Sequence, residues 1–199
     1  MTRRFALPKA LGIVLLVLVI TGAAAGGWSV YIQQTGNVHA VEDGRVYRSN
    51  TLGAPQLKEM IEGNGIKTIL NLRGGSVTDA WYAGERQIAA SHGVQYIDLP
   101  MSEDSVPDPA LMDQLVKTLG TAQQPILIHC KAGADRTGLA SALYEYLYAG
   151  KSAEEASRQL SFYFGHFPWL TSKTGAMDTA FWQLVSTHTA TDMSPVGAQ

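Results

Sequence analysis

The chain has 199 residues, with 15 Lys and Arg against 17 Asp and Glu, 46% hydrophobic residues and one cysteine. That length fits one compact domain with an appendage, and that apolar fraction excludes a fully disordered chain. A single cysteine excludes an intramolecular disulfide framework and a cysteine-rich zinc site, and a formal charge of −2 gives no whole-chain reason for nucleic-acid binding.

Charge is uneven along the chain. Arg3, Arg4 and Lys9 come first, nothing charged follows until Glu42, and residues 10–199 carry 12 basic against 17 acidic groups, a net of −5. Residues 11–20 are almost wholly aliphatic, and the apolar run reaches Trp28, Val30, Tyr31 and Ile32. A spanning helix needs about 20 apolar residues, and residues 10–32 meet that. Trp28 and Tyr31 fall where interfacial aromatics are favoured, and the basic flank predicts a cytoplasmic N-terminus with the globule on the extracytoplasmic (periplasmic) side. An uncleaved anchor is the first reading. A cleaved signal peptide, with Ala23, Ala24 and Ala25 as small residues for processing, is the second and would release the globule. A buried core helix is the third, and so long a run without a polar face argues against it.

Residues 1–32 thus read as a basic tip and membrane helix, 33–43 as a polar linker, 44–187 as the folded domain and 188–199 as a polar tail. Within the domain, 45–48, 66–72, 94–99 and 125–128 read as strands. Helices are expected over 54–62, 79–91, from Pro107 through Leu119, and then over 138–149, 153–164 and 174–185. Residues 125–128 are short and apolar throughout, the pattern of a strand buried on both faces. Strands alternating with helices predict an α/β fold, a mainly parallel central sheet flanked by helices, preceded by one transmembrane helix.

The strand at 125–128 runs directly into His129-Cys130-Lys131-Ala132-Gly133-Ala134-Asp135-Arg136-Thr137, and a helix follows. A strand-loop-helix unit aims successive backbone N–H groups and a helix N-terminus into one concavity, which favours an anion. A thiolate at the start of such a loop is stabilised by those dipoles and by a nearby guanidinium. Arg136 can return across the loop to grip a tetrahedral oxyanion bidentately. Gly133 permits the tight backbone, and Thr137 can donate its hydroxyl to the sulfur. Nucleophile and anion cradle are then supplied without a metal, and no metal-binding spacing surrounds His39, His92, His166 or His188.

These residues resemble the signature H-C-x-x-G-x-x-R-S/T of the cysteine-dependent phosphatases, the protein tyrosine and dual-specificity phosphatase superfamily. His129, Cys130, Gly133, Arg136 and Thr137 fill every fixed position. The similarity extends from about Val46 to Trp182, through Tyr47-Arg48-Ser49, the strand ending at Arg73, and Leu99-Pro100-Met101-Ser102, which look like small bacterial dual-specificity members. The resemblance implies a phosphatase domain acting on phosphotyrosine, phosphoserine or phosphothreonine in proteins, or on a phosphoinositide, with no cofactor. It implies attack by Cys130 on phosphorus, protonation of the leaving oxygen by a carboxylic acid, and hydrolysis of the phosphocysteine by water. Arg136 and the backbone of Lys131, Ala132, Gly133, Ala134 and Asp135 would bind the phosphate oxygens. His129 is expected to order the loop through a hydrogen bond.

In the family the acid lies on an upstream loop, here residues 98–108. Asp104 ranks first, mid-loop between small polar residues, and Glu103 second. Asp98 reads as a strand end and Asp108 as a helix N-terminal residue. Asp135 offers another answer. An Asp-Arg-Thr ending resembles certain phosphoinositide phosphatases and secreted bacterial phosphatases, in some of which a loop aspartate has been proposed as the acid; a structural carboxylate that fixes the loop is the equal alternative. Lys131 resembles a lysine of the tensin-type lipid phosphatases, whereas Ala134 lacks their second lysine. Arg73 reads either as an anchor for the phosphate loop or as a surface ion pair. The aromatic run 162–169 reads as helix packing, or as a wall of the site. A rhodanese or an arsenate reductase also places a reactive cysteine in an anion loop, and a catalytically weak phosphate-binding scaffold is a third class.

Overall fold

Short apolar strands alternating with amphipathic helices build a sheet buried on both faces. The structure, a computed structural model, describes residues 9–169 and 172–192; Arg3 and Arg4 of the basic tip and residues 193–199 of the expected tail lie outside the described residues. Strands β1 (His39–Glu42), β2 (Val46–Ser49), β3 (Thr68–Asn71), β4 (Gln95–Asp98) and β5 (Ile126–His129) form one sheet in the order β1-β2-β5-β3-β4. β2, β5, β3 and β4 are mutually parallel, and β1 pairs antiparallel with β2 at the edge.

Side chains alternate across the sheet as a strand's two-residue period requires. Val46, Leu70, Ile126 and Ile128 face one apolar core, and Tyr47, Ile69 and Leu127 face the other. The first core is closed by α4 (Pro109–Thr121), α5 (Asp135–Leu147), α6 (Ala153–Ala156) and α7 (Gly175–Asp192), the second by α2 (Ala54–Asn64) and α3 (Ala80–Ser91). Burial on both faces explains why β5 reads as an unbroken apolar run. Ser49, His129, Asn71 and Asp98 stand in register, so the parallel strands all end at one edge. In open α/β sheets that carboxyl edge is where ligands bind.

The structure corrects the expected elements in four places. Residues 33–43, expected as a linker, contain β1, and Val41 is buried in the first core. Residues 153–164 are not one helix: α6 is a single turn with a Ser152–Glu155 capping box, followed by 3-10 turns at Ser157–Gln159 and Phe162–Phe164. At the end of the first of these turns the Gln159 carbonyl accepts from Arg48 Nη1 at 2.9 Å. α5 begins at Asp135 rather than residue 138, and α7 runs on to Asp192 into the segment expected as tail.

Among the described residues, one helix is long and apolar enough to cross a bilayer: α1 (Lys9–Gln34), whose span Ala10–Gln34 has a mean hydropathy of 2.3. At 1.5 Å per residue it is about 39 Å long, against a hydrocarbon layer of about 30 Å. Its aliphatic side chains are exposed, yet Ile32 in its last turn is 2% exposed. The end of α1 therefore belongs to the globule.

Candidate active site

β5 delivers Cys130 to the sheet edge, and the chain turns through residues 131–134 before α5 begins. The turn presses on the end of β2. Gly133 has φ +69°, and a Cβ there would lie 2.6 Å from Asn50 N and from Ser49 C and O, so only glycine fits. Each carbonyl of the loop is then taken by a donor outside it. Cys130 O accepts from Thr51 Oγ1 at 3.0 Å and Lys131 O from Thr51 N at 3.4 Å. Ala132 O accepts from Gln33 Nε2 at 3.0 Å and Asn37 Nδ2 at 3.1 Å. Gly133 O accepts from Arg48 Nη2 at 2.7 Å, and Ala134 O from Gly138 N at 2.9 Å. With the carbonyls turned outward, the N–H groups of residues 131–137 are left for the concavity; among the described residues none of them donates to another protein group.

Arg48, fully buried in β2, is the main brace of this loop. Burial lowers its pKa, while the charges of Cys130, Glu145 and Asp135 act in the opposite direction. Its Nη1 also donates to Gln159 Oε1 at 2.5 Å, Gln159 Nε2 donates to Glu145 Oε1 at 2.8 Å, and Lys151 Nζ pairs with that same oxygen at 2.5 Å. No carboxylate pairs with Arg48 directly among the described residues: its charge rests on the oxygens of Gln159, Gly133 and Ala134 and on the Phe164 ring, 3.8 Å away, while its Nε makes no hydrogen bond. A second brace starts at Arg73, whose guanidinium lies 3.9 Å from the centre of the Trp81 ring and donates to Thr51 Oγ1 at 3.1 Å. Arg73 thus reaches the carbonyl of Cys130 through Thr51, as an anchor for the loop and not as a surface ion pair.

Arg136 is 7% exposed, and its Nη1 donates to Met101 O at 3.2 Å. Its Nη2 lies 2.9 Å from Glu103 Oε2. Arg136 Nε and Thr137 Oγ1 are buried without a hydrogen-bond partner among the described residues. Cys130 is 1% exposed, and the hydrogen bond expected from the Thr137 hydroxyl to its sulfur is not formed. The side chain of Lys131 is exposed. Nε2 of buried His129 lies 2.9 Å from Glu85 Oε1, but among the described residues neither ring nitrogen makes a hydrogen bond, so the loop-ordering bond expected of His129 is not seen.

The competing carboxylates separate by their partners. Asp98 accepts from Asn71 Nδ2 at 2.9 Å and from the Tyr82 hydroxyl at 2.6 Å, which commits it to the sheet end. Asp108 caps α4, accepting from Leu111 N at 2.9 Å. Asp135 Oδ1 lies 2.7 Å from His166 Nδ1, and His166 Nε2 lies 2.8 Å from Asp178 Oδ2. His166 is fully buried; burial alone would lower its pKa, but the two carboxylates overcome this and raise it to about 9. His166 thereby bridges Asp135, at the start of α5, to Asp178 of α7. Asp104 is exposed, and among the described residues its carboxylate has no hydrogen bond or ion pair.

Gln33, Asn37, Arg48, Thr51 and His166 all brace the loop, and no local motif marks them as such. Asn37 alone leaves a sequence trace, the Gly36-Asn37 turn in which both residues have positive φ. The aromatic run 162–169 is a 3-10 turn and loop rather than a packed helix face, with Tyr163, Phe167 and Trp169 exposed. A groove of about 500 Å³ between α4 and α7, lined by Met112, Val116 and Leu184, shares no residue with the phosphate loop.

A four-strand parallel edge, a glycine-turned loop carrying Cys130, and Arg136 at the start of the next helix are the architecture of the cysteine-based dual-specificity phosphatases. A family model described as DSP-PTPase phosphatase fused to NAD+ kinase matches residues 28–175, and the chain belongs to that family. Solved structures show the same fold. TpbA of P. aeruginosa is 21% identical, with a TM-score of 0.57 over 79% of this chain and 92% of its own. The core catalytic domain of the PP-IP phosphatase Siw14 of S. cerevisiae, solved with citrate, is 20% identical, with a TM-score of 0.57 over 78% of this chain and 92% of its own. PTPMT1 is 16% identical, with a TM-score of 0.54 over 77% of this chain and 99% of its own. TpbA has also been solved in complex with phosphotyrosine. No curated protein matches the chain.

Proposed function

We propose that the chain is a metal-independent phosphomonoester hydrolase of the dual-specificity class that works through a phosphocysteine, anchored by α1 with its domain on the extracytoplasmic side. The reading is carried by one observation, the outward turn of every carbonyl from Cys130 to Ala134. A loop so arranged is complementary to a phosphoryl group with charge on three oxygens. The thiolate of Cys130 attacks phosphorus, the S–P bond forms and the bond to the leaving oxygen breaks. Asp104, the exposed carboxyl without a hydrogen bond or ion pair among the described residues, gives that oxygen its proton. Water then attacks phosphorus, its proton passes to the Asp104 carboxylate, the S–P bond breaks, and inorganic phosphate leaves with the thiolate restored. Arg136 shares the developing charge in both steps, once Glu103 has ceded its Nη2. Phosphotyrosine, the ligand solved with TpbA, offers the phosphate ester this chemistry requires, and PP-IP, named for the Siw14 phosphatase, offers a phosphoryl group carried on another phosphate, which the same attack at phosphorus can displace.

The test is hydrolysis of an aryl phosphate by the full chain in nanodiscs with a chelator present, beside Cys130→Ser and Arg136→Ala. Turnover is expected in the wild type and absent from Cys130→Ser, and acid quenching should trap phosphate on the wild-type chain alone. Turnover that survives in Cys130→Ser overturns the cysteine mechanism.

A further inference from the structure

The segment Phe162–Trp169 braces the phosphate loop through buried His166 and through Phe164, whose ring centre lies 3.8 Å from the Arg48 guanidinium, yet it also holds large exposed rings that do neither: Tyr163 is 53%, Phe167 42% and Trp169 57% exposed. No Asp, Glu, Lys or Arg occurs from Gln159 to Ser172, nor from Ala10 to Val41. The two uncharged segments meet. Trp28 Nε1 donates to Tyr163 O at 3.0 Å, the two rings lie 5.4 Å apart, and Trp28 in turn lies 5.7 Å from Tyr31, itself 57% exposed. Phe167 and Trp169 form a second exposed pair, 5.0 Å apart, on the same uncharged segment. Rings with one apolar body and one polar tip are the residues that settle at the boundary between lipid and water.

We infer that Tyr163, Phe167 and Trp169 form, with Trp28 and Tyr31, an aromatic collar that seats the globule on the lipid headgroup layer. The inference rests on α1 being a membrane anchor, and the occupant of the collar is the bilayer itself, because the collar is continuous with the helix that enters it. The consequence for the site is one of distance. Gln33 follows Trp28 by about 7.5 Å of helix rise, and its Nε2 is 3.0 Å from Ala132 O of the phosphate loop. Asn37 Nδ2 joins the two regions again, donating to both Ala132 O and Phe164 O, the latter at 2.9 Å. The headgroup layer is about 5–8 Å deep on each side of the hydrocarbon. The phosphate loop is thereby held next to the membrane surface rather than on a loose tether above it.

The experiment uses the full chain in vesicles of phosphatidylcholine brominated high on the acyl chain. Two variants each keep a single tryptophan, one Trp28 and one Trp169, with the others changed to Phe. Bromolipid is expected to quench both. Quenching of Trp28 with none of Trp169 overturns the collar while leaving the anchor intact. Quenching of neither overturns the anchor and the collar together. Shielding of Trp169 that grows with protein density but not with bromolipid names a second copy as the occupant and overturns the inference. Should a single-tryptophan chain fail to fold, the difference in quenching between the wild type and Trp169→Phe reads the same quantity.

Discussion

The phosphate loop and the loop at 99–108 face the same cleft and are built by opposite rules. In the first, five successive carbonyls are bound from outside by Thr51, Gln33, Asn37, Arg48 and Gly138, and a glycine fills a space closed to any side chain. In the second, the Asp104 N–H rests on Ser102 Oγ at 3.1 Å, and Glu103 reaches Arg136 from a position 39% exposed. Oxyanion stabilisation requires donors fixed before the charge develops, which accounts for the rigid side. In the proposed mechanism, proton transfer and product release call for a carboxylate that comes and goes, which the second loop is free to supply.

Breaking the rigid side should cost most. Arg48→Met strands the carbonyls of Gln159 and Gly133 in the core, so unfolding free energy should fall by about 2–6 kcal/mol, at about 1–3 kcal/mol for each buried acceptor left unpaired. Chemical denaturation measures it, and a loss within error would mean that the brace is dispensable. On the loose side, Asp104→Asn should leave the fold intact and lower kcat on poor leaving groups by about 10²–10⁴-fold. Activated aryl esters, whose leaving oxygen needs no proton, should change far less; equal losses on both would remove Asp104 from the acid role.

His166 tests the rigid side through pH. Its pKa is raised in the fold to about 9, so the unfolded chain gives up the imidazole proton more readily. The stabilisation is complete below the ordinary histidine range near 6.5 and is lost as pH rises through about 9. Its size is on the order of 3 kcal/mol. Melting curves of wild type and His166→Gln should therefore lie far apart at pH 6 and draw together near pH 10. A constant gap would mean that the imidazole is bound neutral. The smallest effect belongs to Glu103→Gln. The pair with Arg136 is half open to solvent, where ion pairs are worth about 0.2–1 kcal/mol, so inorganic phosphate should inhibit the variant up to about fivefold more tightly. Weaker inhibition would make Glu103 part of the phosphate site rather than its competitor.

The two loops also differ in what the sequence reveals. Cys130, Gly133, Arg136 and Thr137 are legible because their work is done within one turn of chain, between a buried strand and a helix. The sheet is legible for a similar reason, since burial on both faces leaves β5 no polar residue between Pro125 and His129. Gln33 and Asn37 reach Ala132 across 99 and 95 residues, and a polar side chain in a polar segment looks the same whether it meets water or a carbonyl. Arg48 sits in a four-residue strand whose burial hides it, and His166 among aromatics that give no hint of Asp135 and Asp178. The acid loop is ambiguous for a different reason: its carboxylates are told apart by the partners of Asp98 and Asp108, which are tertiary facts.

The last turn of α1 bears on how the domain can be separated from the proposed anchor. The family match begins at residue 28, inside that helix. A cut at residue 33 would yield a more soluble fragment, but would discard the Trp28 contact with Tyr163 and bury no Ile32. It would also leave Gln33, which accepts from Asn50 Nδ2 at 3.0 Å while donating to Ala132, at a frayed chain end. Solubility and catalytic order therefore pull the choice of cleavage point in opposite directions, and a fragment starting upstream of Trp28 with its lipid-facing aliphatics made polar reconciles them.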